Sequence, residues 1–122
     1  MKQQSAVNTV VLSLVLITGS ACTANSAKGT SLYDRLGGKA GITSVVDTFV
    51  GNVGGDKRIS GYFASTDLTA LKTHLVNQVC EASGGPCTYH GRTMKQTHAR
   101  MGVSDAAFGA LVEDLVAALD HH

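Results

Sequence analysis

Apolar positions recur at helical spacing along most of the chain. Ile42, Val45, Val46, Phe49, Val50 and Val53 fall at i, i+3, i+4, i+7, i+8 and i+11, which is one face of a helix. Their β-branched side chains lower helix propensity, but the period is that of a helix and not of a strand. Gly54-Gly55 is expected to end this helix. Before it, Ser31 to Leu36 reads as one or two turns stopped by Gly37-Gly38. After it, Ile59 to Phe63 is a short apolar bridge.

A third helix is predicted to open at Thr66, with Asp67 in its first turn, where a negative charge favours the helix dipole. Its apolar face is Leu68, Leu71, Leu75, Val76 and Val79, bordered by His74. Gly84-Gly85-Pro86 stops it, and a loop from Cys87 to Arg92 leads to a short helix over Met94–His98, ended near Gly102. Ser104 is expected to cap a last helix, with Phe108, Leu111, Val112, Leu115, Val116 and Leu119 as its apolar stripe and Glu113 and Asp114 on a solvated face. No alternating pattern suggests a strand, so the expected fold class is all-α.

The N-terminal region follows a different rule. One Lys, an apolar run from Val10 to Ile17 and small residues up to Cys22 read as a secretory signal over residues 1–22. The run is far short of the roughly 20 residues that span a bilayer. Gly19-Ser20-Ala21-Cys22 resembles a lipobox, so Cys22 is a candidate for lipidation, with simple cleavage as the alternative. Residues 23–30 read as a small, polar tether, and residues 31–122 as one folded domain. The expected location is the periplasm, or the membrane surface as an anchored lipoprotein. A net charge of +1 without a basic stripe argues against nucleic acid as a partner.

Chemistry-bearing residues are few. Of five His, His121 and His122 lie at the frayed end. In the stretch MKQTH, residues 94–98, His98 has Met94 four residues before it and Met101 three after it. That spacing sets an imidazole on one stripe with two thioethers, as a core histidine would be, or as a ligand to a metal or cofactor in an apolar pocket would be. The two Met serve equally well as core filler. His74 invites the same two readings. Cys80 and Cys87, in a chain with an export signal, are expected to form a disulfide; a zinc site of Cys80, Cys87, His90 and His98 is the alternative, at a wider Cys spacing than zinc sites use. No catalytic triad and no phosphate loop is evident.

The segments SLYDRLGG (31–38), YFASTDLTALKTH (62–74), GGPCTYHGRTMKQTH (84–98) and MGVSDAAFGALVEDLVAAL (101–119) resemble a group I truncated globin across the whole of residues 31–120. The resemblance implies a two-over-two helical sandwich around haem b, with His98 as the proximal iron ligand. It implies that Phe63 packs on the haem face and that Tyr89 is the loop tyrosine after the Gly-Gly-Pro turn. Phe49, Leu71, Leu75 and Met94 would line the pocket, and Lys72 and Lys95 are candidate partners for the propionates. The pattern departs from well-known members on the distal side: Val50 stands where a Tyr is usual, and Leu75 where a Gln is often found. His74 is then the one donor left, and in some members a His at this place binds iron itself, giving a six-coordinate haem. Family chains usually continue past the position of Leu119 into one more helix, which would cover an apolar face that a partner subunit could cover instead.

The resulting expectation is a haem module of the cell envelope that binds O2, NO or CO reversibly, or works as a bis-His redox haem with a redox partner. Alternatives are an NO dioxygenase or peroxidase-like enzyme, and a degenerate haem-free globin scaffold. Dioxygenation wants a distal donor and a reductant, and Val50 and Leu75 count against the first.

Overall fold

A computed structural model of the chain describes residues 30–122. The expected signal over residues 1–22, Cys22 as the candidate for lipidation and nearly all of the expected tether lie outside the described residues. Five helices and one 3-10 turn make up the described part: α1 (Leu32–Arg35), α2 (Gly38–Gly55), the turn Ser60–Phe63, α3 (Leu68–Ala82), α4 (Met94–His98) and α5 (Asp105–His121). No strand is present among the described residues. None of the helices is long and apolar enough to cross a membrane.

Helix α2 is the hub. Its predicted stripe is the buried one: Ile42, Val45, Val46, Val50 and Val53 are all inside. Each such side chain, fully buried, contributes about 1.5–3 kcal/mol. The stripe meets two groups of residues. Ile42, Val46 and Val50 pack with Val76 and Cys80 of α3. Val53 packs with Ile59 and with Ala107 and Ala110 of α5. So α3 and α5 both lie against α2, and Phe49 touches both clusters at their junction.

The termini of the elements depart from expectation in small, explicable ways. Gly37 takes a left-handed conformation, φ 84°, so it both ends α1 and starts α2, which begins at Gly38. Three residues on, a Cβ at Gly41 would lie 1.8 Å from the Leu36 carbonyl oxygen, so only glycine permits this close a turn. Asp67, not Thr66, caps α3, its carboxylate accepting from the Ala70 N–H at 3.0 Å. Ser31 and Asp34 form a reciprocal capping box on α1.

Helix α5 contradicts the expected stripe. Its buried residues are the small ones, Ala107, Ala110 and Ala118, with Leu111 half-buried against them. Phe108, Val112, Leu115, Val116 and Leu119 are exposed. Small side chains let two helix backbones approach, so the alanines and not the large residues face α2. Asp114 also departs from the solvated face assigned to it. It is half-buried, its backbone carbonyl accepts from Asn52 of α2 at 3.1 Å, and its Oδ2 is buried without a partner. Burial, with Asp56 nearby, raises its pKa. Glu113 remains exposed and pairs with Arg58 at 2.8 Å.

Candidate ligand-binding site

The two histidines singled out by the sequence sit on different helices with opposite degrees of support. His98 is the last residue of α4, a single helical turn with a purpose-built start. The Thr93 hydroxyl accepts from the Gln96 N–H, and the Gln96 side chain accepts from the Thr93 N–H, which closes a capping box. The T-x-x-Q spacing carries that box in the sequence, and the hydrophobic pattern alone passes over it. The helix stops at once: Ala99 is extended and Arg100 is left-handed, φ 65°, followed by Gly102 at φ 62°.

The ring of His98 is oriented by its own helix. Its Nδ1 lies 2.7 Å from the Met94 carbonyl oxygen. A carbonyl can only accept, so Nδ1 is the donor in this bond, and Nε2 is the ring nitrogen left to face a ligand. Metal-binding imidazoles are held in this way, because the bond fixes the ring plane and raises its basicity. The expected dry pocket between two thioethers is not what surrounds it. Every residue of α4 is exposed, Met94 included, while Met101 is half-buried. Nothing in either core cluster comes from α4. A five-residue helix with no large apolar partner cannot desolvate its own histidine.

The apolar residues assigned to the pocket collect around α2. Phe49, Leu71 and Leu75 are half-buried against the first core cluster, and Phe49 and Phe63 against the second. Val50 is buried within the first cluster and offers no donor. Leu68 of α3 and the exposed stripe of α5 are also open to contact. Large apolar side chains left exposed in such numbers mark a surface that takes a partner or ligand.

His74 is exposed on α3. Its ring meets the Tyr89 ring edge-on, with centroids 5.9 Å apart and an interplanar angle of 80°. Tyr89 is itself firmly held. Its hydroxyl donates to the Arg92 carbonyl at 2.8 Å, and its N–H donates to the Glu81 carboxylate at 3.2 Å. Nothing in the hydrophobic pattern flags Glu81 or Arg92, since both act through single polar bonds. Cys80 and Cys87 are joined in a disulfide with Cα atoms 5.7 Å apart, which ties the end of α3 to the loop ahead of Tyr89. Both thiols are thereby consumed, so the zinc alternative has no thiolates, and His90 is exposed on the loop.

Lys72 is committed elsewhere. Its ammonium pairs with Asp47 of α2 at 2.9 Å, in a groove lined also by Lys39, Thr43, Val76 and Asn77. The pair is largely exposed and so is worth little, and Lys72 would have to leave it to meet a propionate. Lys95 is exposed in the last turn of α4.

Comparison with known proteins bears on the family and the fold. A family described as bacterial-like globin matches residues 31–122. The chain is 38% identical over 93 residues to the group 1 truncated hemoglobin GlbN of Mycolicibacterium paratuberculosis, covering 76% of this chain and 68% of that protein. It is 34% identical over 85 residues to the GlbN of Nostoc commune, covering 70% and 72%. Among solved structures it is similar to the Fe(III) form of the truncated hemoglobin from Tetrahymena pyriformis, at TM-score 0.71 and 29% identity over 74% of this chain and 77% of that one. It is also similar to the cyanomet 2/2 hemoglobin of Synechococcus sp. with covalently attached heme, at TM-score 0.70 and 35% identity, covering 75% and 77%.

Proposed function

The chain belongs to the bacterial-like globins, as a group 1 truncated haemoglobin with the two-over-two helical fold, and from that premise we propose that it is a haem b protein that binds diatomic gases. The observation that carries the proposal is the 2.7 Å bond from the His98 ring to the Met94 carbonyl. It engages Nδ1 and leaves Nε2 as the ring nitrogen that a haem iron would take as its proximal ligand. Bound haem supplies an iron centre for gas ligands, and the remaining chemistry falls to side chains.

Phe49, Phe63, Leu71 and Leu75, already half-buried against one or both of the core clusters, would pack on the macrocycle and exclude water. Met94 would do the same from the proximal side. Burial of that kind accounts for apolar surface otherwise exposed on α4 and α5. His74 is the one ring nitrogen on the distal helix able to donate to a bound gas or to ligate iron itself. Lys95, or Lys72 released from Asp47, would meet a propionate. The signal-like residues 1–22 favour action in the cell envelope, attached through Cys22 or free.

The test is the absorption spectrum of the full chain given haem, in ferric and dithionite-reduced forms. His98→Ala is expected to abolish stable uptake, and His74→Ala to keep the haem and change only the distal ligand. Uptake that survives His98→Ala with an unchanged spectrum refutes the assignment of His98.

A further inference from the structure

His74 and Glu81 are seven residues apart on α3, two turns along one face. The loop after the disulfide folds back over that face. Glu81 takes the Tyr89 N–H at its far end, and the Tyr89 ring comes down edge-on to His74. The ring is fixed from several sides. Its hydroxyl is bonded to the Arg92 carbonyl, and Cys87 is bonded covalently to α3. It also fills the space beside Gly91, where a Cβ would lie 2.2 Å from the Tyr89 oxygen and 2.4 Å from the ring. Tyr89 is therefore a rigid wall. His74, exposed and without a hydrogen bond among the described residues, is the group that can move.

Its position on the helix gives it two places to go. His74 stands about 60° around α3 from Leu71 and about 100° from Leu75. The conformer present sets the imidazole against Tyr89, and a change of χ1 would carry it toward the neighbouring Leu71–Leu75 stripe. We propose that Tyr89 is a positioning residue that parks His74 outward, so that the wall competes with the haem iron for the same imidazole and sets how much of the distal position stays open to gas. This rests on the haem reading above. An edge-to-face aromatic contact of this kind shifts such an equilibrium by roughly twofold to tenfold.

The experiment uses the full chain with Tyr89→Leu and Tyr89→Phe. Phe keeps the ring edge and loses only the hydroxyl bond to Arg92. In the haem-loaded protein, the low-spin six-coordinate fraction is read by electron paramagnetic resonance and visible absorption. It is expected to rise roughly twofold to tenfold relative to the five-coordinate form in Tyr89→Leu, to stay near the parent in Tyr89→Phe, and to vanish in His74→Ala. In the haem-free protein, the His74 ring protons are expected to lose the ring-current shift from Tyr89 in the Leu variant and to retain it in the Phe variant. A six-coordinate fraction unchanged by Tyr89→Leu, or His74 ring resonances that do not respond to it, overturns the proposal while leaving the haem reading in place. A parent chain that takes up no haem at all overturns both.

Discussion

Gly85→Ala sets a new Cβ against two fixed neighbours at the turn that follows α3. Gly85 sits where the chain leaves α3, its N–H donating to the Cys80 carbonyl at 2.8 Å. Its φ is not in the left-handed region, so alanine brings no backbone strain. The whole cost is space. The new Cβ would lie 2.4 and 2.6 Å from two carbons of the Tyr33 ring and 2.7 Å from the Cys80 sulfur. Neither neighbour yields easily. Cys80 is fully buried and disulfide-bonded. Tyr33 is held by its N–H to the Ser83 carbonyl at 2.9 Å and by its hydroxyl, which accepts from the Lys39 N–H at 3.0 Å. Overpacking against fixed neighbours costs about 2–3 kcal/mol, and moving the ring off Lys39 about 1 more. A domain of about 90 residues has only ~5–14 kcal/mol to lose. Urea unfolding followed by far-ultraviolet circular dichroism, with the disulfide intact, should show a midpoint lower by roughly 2 M at an unchanged slope. Tyr33→Ala removes one of the two obstacles, so the double variant should recover at least about 1 kcal/mol of coupling. A single variant within about 0.5 kcal/mol of the parent, or strict additivity in the cycle, refutes the packing argument.

Reduction of Cys80–Cys87, a bridge of sequence separation 7, should lower stability by roughly 2–3 kcal/mol; equal urea midpoints with and without reductant would contradict it. Thr93→Ala removes the cap of α4 at a local cost of about 1 kcal/mol, read as faster amide exchange at Gln96 and Thr97 with little change in the global midpoint, since α4 belongs to neither core cluster. Asp114 carries a raised pKa through burial, so the native state holds its proton more tightly than the unfolded chain and stability falls as pH rises through that native value. Asp114→Asn should therefore stabilise the protein at neutral pH and converge with the parent in acid, as followed by thermal melts across pH. Asp56 runs the other way. The Arg58 guanidinium lowers its pKa, so Asp56→Asn should lose stability at neutral pH, and the loss should disappear as pH falls through the native value.

The fold was largely legible because it follows from one-dimensional periodicity. The α2 stripe from Ile42 to Val53 names the buried face of the hub helix, and the Gly-Gly-Pro run marks the end of α3 without reference to any contact. His98 stood out as a candidate ligand only through the resemblance of residues 84–98 to the globin motif, since its spacing alone left a core reading open. Other features depend on distance between segments far apart in the chain. A stripe read by hydrophobicity selects Phe108, Leu115 and Leu119 on α5, yet Ala107, Ala110 and Ala118 are buried, because helix contact rewards closeness of backbones as well as apolar area. Lys72 cannot be assigned to a ligand until Asp47, on another helix, is seen to hold it. The ring bond of His98 and the wall that Tyr89 sets beside His74 are likewise matters of ångströms and angles. Sequence by itself determined which helices form and which residues are candidates for the chemistry, since both are local properties of side chains and spacing. Tertiary structure alone decided which of those side chains face one another, because hydrogen bonds and ring contacts act over a few ångströms that no pattern along the chain encodes.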